Sequence, residues 1–254
     1  MRHLPRPLVF LLSLLVLAPV SAAAAPITVL APGIVVAPLR SLASQWAAQT
    51  GNQVDVRGGN VQSVSAAADN GPPADLVILP DANLRNLKAR IRPRSQRAIG
   101  RVVFGMVVKR GGAHPDISTP EKFVEAVRNA GVLAFGDPSA GSLSGRMVDQ
   151  MLHRAQFSGV EPRPVQGMIG EAIVRGDAEF GVGPVSEILM TRDAELVGRI
   201  PDSLDMHIDV AGAVLNTAAA PAEASGFLRF LASSAARDAW TAGGVDARPA
   251  GRRD

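Results

Sequence analysis

Five short segments of the chain combine small residues with the expected start of a helix. They occupy positions 31–34, 58–61, 139–146, 167–170 and 183–186. The first turn of a helix carries backbone N–H groups without intrahelical partners, at the positive end of the helix dipole. Glycine in such a turn lets a ligand come close to the backbone. If these turns face one cleft, they form a site for a small anion without a charged side chain.

Twelve residues of these turns are our candidates for ligand contacts: Gly33, Ile34, Gly59, Asn60, Val61, Ser142, Ser144, Gly145, Arg146, Met168, Pro184 and Val185. Ser142 and Ser144 offer hydroxyl donors, and Arg146 carries a guanidinium fork that matches a carboxylate. Each feature also has a structural interpretation. A turn can simply connect a strand to a helix, a serine can cap the helix that follows, and Arg146 can lie in water.

Signatures of common enzymes are absent from the sequence. Residues 141–145 read GSLSG, which places Leu143 where a nucleophilic serine would stand, and neither a Walker loop nor an H-E-x-x-H motif occurs. His114, His153 and His207 are far apart and lack metal-ligand spacing. We therefore expect a binding protein with no catalytic residue, no metal and no cofactor. The weaker alternative is a hydrolase that uses Ser142 or Ser144.

The elements that must position these turns follow from the hydrophobic periodicity. Short apolar runs predict strands at 26–31, 54–57, 75–79, 102–108, 132–135, 179–182 and 207–216. Helical spacing and helix-start signals predict helices at 36–49, 144–156, 169–175, 186–191, 221–231 and 235–242. One further helix is expected to end near residue 70, and another to begin at residue 120. The alternation of strands and helices predicts an α/β fold with a mainly parallel sheet, and ligands of such folds bind beyond the carboxyl ends of the strands.

The first 25 residues have the layout of a secretory signal peptide. Arg2 and Arg6 precede an apolar run, and small residues follow at 21–25. The run is too short for a stable transmembrane anchor. The sequence contains no cysteine, so neither a disulfide framework nor a lipoprotein anchor is possible. We expect cleavage after Ala22 or Ala24 and export to the periplasm.

The charge of the mature chain does not favour nucleic acid as a partner. The whole sequence has 26 basic and 23 acidic residues, and removal of Arg2 and Arg6 leaves 24 against 23. Seven basic residues and no acidic one occur at 85–101. Such a run is usually a solvated face, and its functional interpretation is the steering of anions or contact with an importer.

Several motifs give the mature chain a resemblance to the periplasmic molybdate-binding protein family of ABC importers. The motifs are ITVLA at 27–31, GPPADL at 71–76, GDP at 136–138 and GVG at 181–183. The resemblance implies a type II periplasmic binding protein, in which two α/β lobes hold a ligand in the cleft between them. It also implies residues 26–103 and 210–254 in lobe one and residues 104–209 in lobe two. Expected partners are a small anionic ligand and an inner-membrane permease, and the expected oligomeric state is a monomer.

Three positions depart from the molybdate receptors. Ile34 stands where they carry a serine, the second turn has lost its serines at 59–62, and a late-loop tyrosine is replaced near Pro184. The loss of hydroxyl donors leaves two ligand classes open, a molybdate- or tungstate-like oxyanion and a small organic carboxylate. A periplasmic sensor subunit that uses the same clamp is a further alternative to transport.

Overall fold

A computed structural model describes residues 25–247, so nearly all of the predicted signal peptide lies outside the described residues. The described chain has ten strands: β1 (Ile27–Pro32), β2 (Val54–Gly59), β3 (Leu76–Pro80), β4 (Arg97–Lys109), β5 (Val132–Gly136), β6 (Glu161–Val165), β7 (Phe180–Pro184), β8 (Ala194–Arg199), β9 (His207–Val214) and β10 (Val245–Ala247). It also has nine α-helices: α1 (Gly33–Thr50), α2 (Val61–Asn70), α3 (Asp81–Asn86), α4 (Pro120–Ala130), α5 (Leu143–Leu152), α6 (Ile169–Arg175), α7 (Val185–Ile188), α8 (Pro221–Leu231) and α9 (Arg237–Ala242).

The strands form one curled mixed sheet in the order β2-β1-β3-β9-β4-β7-β5-β6, with β8 and β10 also paired to β4. The β2-β1-β3 and β6-β5-β7 groups are parallel. Strands β4 and β9 join antiparallel to their neighbours. The structure therefore contains two parallel βαβ groups, and strand β4 connects them.

Strand β4 changes partners half-way along its length. Its first part, Arg97 to Val103, pairs with β9, and its second part, from Phe104 onwards, pairs with β7 and β8. The apolar run of this strand is buried on both sides, which is why the sequence shows few polar residues there. The change of partners lies between Val103 and Phe104, where β4 passes from one half of the sheet to the other.

Hydrophobic contacts hold the helices against this sheet. Trp46 of α1 packs on Phe227 and Phe230 of α8, with ring centroids 5.8 and 5.5 Å apart. In the other half, Phe123 and Phe157 meet edge to face at 6.1 Å. Aromatic pairs of this kind add about 0.5–1.5 kcal/mol beyond their burial. Each half thus has its own aromatic anchor.

Asp75, in the GPPADL motif, has a structural role. It is 5% exposed, and its carboxylate accepts hydrogen bonds from the backbone N–H groups of Thr28, Ala219 and Ala220. These bonds join the start of β1 to the segment that leads into α8. The motif therefore specifies the fold of the first half rather than the ligand site.

Most predicted elements are present, with differences at their ends. Strand β4 extends from Arg97 rather than 102, α5 ends at Leu152 rather than 156, and α7 ends at Ile188 rather than 191. The prediction missed β6, β8 and β10. Two prolines in the Glu161–Val165 strand hid its periodicity, and they are tolerated because β6 lies at the edge of the sheet.

Candidate functional site

A cleft of about 300 Å³ lies between the two halves of the sheet, and residues from both halves line it. Its walls are the loops that follow β1, β2, β5, β6 and β7. These are the carboxyl ends of parallel strands, which meet on one side of each group. The five turns singled out in the sequence therefore face one another across the cleft.

Helices α1 and α2 begin at the wall formed by the first half. Gly33 and Ile34 open α1, and Asn60 and Val61 open α2. The Asn60 side chain caps its own helix, because its Oδ1 accepts a hydrogen bond of 2.7 Å from the Ser63 N–H. The other N–H groups in the first turns of α1 and α2 have no carbonyl four residues earlier in the helix to bind. They are the hydrogen-bond donors available on this side of the cleft.

Helix α5 begins at the opposite wall. Ser142 caps it, with its Oγ accepting a hydrogen bond of 3.0 Å from the Gly145 N–H. The Ser144 hydroxyl lies 3.1 Å from the Ser142 hydroxyl and is nearly buried. Ser142 is thus committed to the helix cap, while Ser144 has a hydroxyl at the cleft wall and no structural bond except the one to Ser142.

Nine of the twelve candidate residues line the cleft: Gly33, Ile34, Gly59, Asn60, Val61, Ser142, Ser144, Met168 and Pro184. The other three lie outside the lining. Arg146 has an exposed side chain on α5, two residues beyond Ser144 of the wall. Gly145 is buried against β5, where an added methyl group would overlap the Gly136 carbonyl oxygen. Val185 is buried at 2% exposure and packs towards β4.

Sequence reasoning missed several lining residues, notably Asp137, Gln166, Glu187 and Ile208. Asp137 follows β5 in the GDP motif and Gln166 follows β6, so their places at strand ends are a signal that could have found them. Glu187 gave no signal, because it lies inside the short helix α7, of which only the start resembled the other turns.

Among residues 25–247, no lysine, arginine or histidine lines the cleft. Its polar side chains are Asn60, Asp137, Ser142, Ser144, Gln166 and Glu187. Hydrogen bonds from the side chain and backbone of Ser139 hold the pKa of Asp137 below its usual range. The fixed charge of this wall is therefore negative, and any anion must rely on backbone and neutral side-chain donors.

Glu187 is the exception among the carboxyl groups of the cleft. Burial raises the pKa of Glu187 to about 7, because desolvation disfavours the charged form. Among residues 25–247, none donates a hydrogen bond to its carboxyl group or forms an ion pair with it. The group therefore exchanges its proton near neutral pH, at the wall of the cleft.

The two halves also touch at the back and at the front of the cleft. At the back, the buried Ser186 hydroxyl donates a 2.6 Å hydrogen bond to the Ile34 carbonyl, which joins α7 to α1. At the front, a methyl group added to Gly141 would lie 3.1 Å from Gln62 Oε1 and 3.8 Å from Asn60 Nδ2. The loops of the two halves are therefore already close together.

The described residues contain neither a metal-ligand cluster nor a membrane-spanning helix. No cluster of three or more potential metal ligands occurs within residues 25–247. Over the same range, no helix has both the length and the apolar character needed to cross a membrane.

Comparison with known proteins identifies the family. The profile described as "Bacterial extracellular solute-binding protein" matches residues 27–246. The chain belongs to this family. A curated relative, an aconitate isomerase from a Pseudomonas species, is 26% identical over 238 residues, which make up 88% of each chain.

Solved structures of binding proteins share the fold. The periplasmic molybdate-binding protein of Azotobacter vinelandii has a TM-score of 0.67 and 19% identity, covering 88% of this chain and 100% of that one. The sulfate-binding protein of Mycobacterium tuberculosis has a TM-score of 0.69 and 16% identity, covering 89% and 88%. PEB3 of Campylobacter jejuni, solved with L-phospholactate, has a TM-score of 0.62 and 13% identity, covering 87% and 99%.

These likenesses confirm two predictions made from the sequence. The solute-binding protein has the two-lobed α/β architecture of type II periplasmic binding proteins, and its fold is similar to that of the molybdate-binding group. The sheet is mixed, since the parallel groups are joined through antiparallel β4 and β9. The lobe boundaries and the ligand contacts stay predictions.

Proposed function

We propose that this protein binds a small organic carboxylate of low charge in the periplasm and delivers it, without chemical change, to an ABC importer. The observation that carries the proposal is the composition of the cleft wall. Its donors are helix-start N–H groups and neutral side chains, and its surface is otherwise largely apolar.

The apolar part of the wall favours a ligand with a carbon skeleton. Ile34, Val61, Leu143, Met168 and Ile208 all line the cleft. A bare tetrahedral oxyanion would bury little of the apolar surface that these side chains present to the cleft, whereas methylene groups would bury that surface at about 25 cal/mol per Å². The volume of about 300 Å³ is at the lower end of the range for small-molecule pockets.

The charge of the wall favours a ligand with few carboxylates. The part of the lining that the structure describes has no cationic side chain, and Asp137 contributes a negative charge. The starts of α1, α2 and α5, each at least ten residues long, contribute partial positive charge at the wall. Such dipoles suit one or two carboxylate groups better than a highly charged anion.

A molybdate- or tungstate-like oxyanion is the competing ligand within the same function. The resemblance to the Azotobacter molybdate-binding protein supports it. Among the described lining residues, only Ser142 and Ser144 offer hydroxyl groups, and Ser142 already caps α5. Scarcity of hydroxyl donors is the reason that we favour the carboxylate.

Closure of two lobes around the ligand is part of the proposal. Lobe one would comprise residues 26–103 and 210–254, and lobe two residues 104–209. The exchange of partners along β4 near Val103 supports this division, since β4 and β9 are the segments that connect the halves. Hinge closure of this type buries the ligand and presents a new surface to a permease, or to a membrane receptor if the protein is a sensor subunit.

Thermal unfolding of residues 26–254 with a ligand panel tests the proposal. The panel contains lactate, succinate, citrate, trans-aconitate, molybdate, tungstate, sulfate and phosphate. A ligand at about a hundred times its dissociation constant adds roughly 2.7 kcal/mol, which raises the Tm of a chain of this size by about 5–10 °C. A shift with lactate or succinate supports the proposal, while a shift with the oxyanions alone or with the tricarboxylates alone would overturn it.

The match to an aconitate isomerase favours a second candidate, the isomerisation of an unsaturated carboxylate. Glu187 is the group that could support it, because a base with a pKa of about 7 both accepts and returns a proton at neutral pH. Proton NMR of cis-aconitate with the protein in D2O tests this function. Appearance of trans-aconitate with deuterium at carbon, lost in Glu187→Gln, would establish catalysis; unchanged cis-aconitate would leave a binding protein only.

A further inference from the structure

We propose that Glu187 is a specificity-determining residue that binds the ligand in its protonated form, donating a hydrogen bond to a ligand carboxylate, so that binding takes up a proton. The inference rests on the proposed function and names the protonation state in which the cleft recognises its ligand.

The position of Glu187 is the first observation. It lies in α7 directly after β7, lines the cleft, and is partly buried. Ser186, its neighbour, is anchored to the Ile34 carbonyl across the back of the cleft. The backbone that carries Glu187 is therefore fixed to both halves, and its carboxyl group is a constant feature of the wall.

The missing partner is the second observation. A carboxyl group removed from water is normally hydrogen-bonded or paired. Among the described residues, the buried Asp75 follows this rule with three backbone N–H donors. The Glu187 carboxyl group has no such donor, so a ligand in the cleft is the partner that remains for it.

The charged groups on the elements packed against α7 do not supply a partner either. They are Arg40 on α1, Glu171 and Arg175 on α6, Arg97, Arg101 and Lys109 on β4, and Glu195 and Arg199 on β8. Strand β7 carries none, and Asp137 is the other carboxyl group of the lining. Arg199 pairs with Asp246, Arg101 with Asp209, and Arg175 with Asp177. Nothing in this set offsets the desolvation of Glu187.

Chemistry then decides what the group can bind. An ionised Glu187 beside Asp137 would repel an anion, whereas a protonated one supplies an O–H donor to a carboxylate oxygen. A hydrogen bond between a carboxylic acid and a carboxylate is charge-assisted and short. A carboxylate that binds together with a proton therefore gains a hydrogen-bond donor from Glu187, and its carbon skeleton contacts the apolar side chains of the wall. A tetrahedral oxyanion has no carbon skeleton with which to make that second contact.

Isothermal titration calorimetry tests the inference with lactate, succinate, citrate and trans-aconitate, each from pH 6 to pH 8. Because the pKa of free Glu187 is about 7, we expect affinity to fall about tenfold over this range. Titrations at pH 8 in buffers of different ionisation enthalpy should show uptake of about one proton per ligand. In Glu187→Gln, which keeps a donor but cannot ionise, both effects should disappear, while ionisation of the ligand itself is common to both proteins and cancels.

Glu171→Gln is the matched control, since Glu171 is a glutamate on the neighbouring helix α6 and does not line the cleft. It should keep the pH dependence of the wild-type protein. Carboxylate binding whose pH dependence is the same in wild type and Glu187→Gln would overturn the role of Glu187 and leave the proposed function standing. Absence of binding for all four carboxylates at every pH would overturn the proposed function and this inference together.

Discussion

Ser142 and Ser144 both line the cleft and are only two residues apart, but they have different roles. Ser142 accepts the Gly145 N–H at the start of α5, while the nearly buried Ser144 has its hydroxyl at the wall. We expect Ser142→Ala to lower stability by about 1 kcal/mol, as the loss of a helix cap does. Ser144→Ala should instead weaken ligand binding by roughly 1–2 kcal/mol.

Urea unfolding and calorimetric titration of both variants separate these roles, and each variant serves as the other's control. Equal losses of stability with unchanged affinity would show that both serines only build the helix start. In that case the ligand contacts on this wall would be limited to backbone N–H groups.

The burial of Glu187 also predicts how the stability of the ligand-free protein depends on pH. The pKa of this group is raised from 4.5 in the unfolded chain to about 7 in the folded one, so the native state holds the proton to higher pH. Its contribution to stability is complete below pH 4.5 and is lost as the pH rises through about 7. The shift corresponds to roughly 3 kcal/mol.

Denaturant unfolding from pH 4.5 to pH 8 measures this effect as a difference between wild type and Glu187→Gln. The variant should gain up to that amount relative to wild type as the pH rises, because all other titrating groups are shared. Parallel curves for the two proteins would mean that Glu187 is solvated and titrates normally, and would contradict the picture of a desolvated carboxyl group.

At the scale of elements, the contact between α7 and α1 joins the halves behind the cleft. Ser186 is 2% exposed, and its hydroxyl donates to the Ile34 carbonyl at 2.6 Å. Ser186→Ala leaves that carbonyl without its donor, so we expect a loss of about 1–2 kcal/mol. Thermal unfolding should show a Tm lower by about 2–8 °C.

Ser225→Ala is a suitable comparison, because the Ser225 hydroxyl makes only a local bond to the Pro221 carbonyl one turn earlier in α8. It should change the Tm by less than half as much. If the two variants behave alike, the bond between α7 and α1 contributes no more than a local side-chain bond, and the two halves are held together by β4 and β9.

The same elements show what the sequence could predict and why. The starts of α1, α2 and α5 were predictable, because glycine, asparagine and serine act locally in turns and caps. The start of α4 at Thr119 and Pro120 was predicted for the same reason and is confirmed. Strand β6 was not predicted, since its identity as a strand depends on pairing with β5 at the edge of the sheet rather than on its own residues.

Contacts across the cleft were harder to predict than the turns. The sequence places Gly145 and Val185 beside ligand-facing neighbours, but their burial against Gly136 and β4 decides that they do not line the cleft. Glu187 shows the opposite failure: the exposure of its carboxyl group to the cleft depends on the packing of α7 between α1 and α6. Tertiary packing, which has no local signature, therefore determined the places of Gly145, Val185 and Glu187, whereas Asp137 and Gln166 lie at strand ends that are a signal in the sequence.

At the scale of the whole molecule, the protein consists of two α/β halves that share strand β4 and form one cleft for a ligand. The described part of the wall has helix-start donors, apolar side chains, no cationic side chain and one carboxyl group that holds its proton near neutral pH. The apolar side chains favour a small carboxylate over a tetrahedral oxyanion, whereas the helix-start donors suit either anion. Ligand class is therefore the central claim.

Calorimetric titration of residues 26–254 with succinate, trans-aconitate and molybdate at pH 6 tests that claim most directly, because it gives affinity and stoichiometry together. We predict one bound carboxylate per chain, with molybdate binding at least tenfold more weakly. Tight one-to-one binding of molybdate, with no heat of binding from either carboxylate, would contradict this claim. The protein would then be an oxyanion receptor.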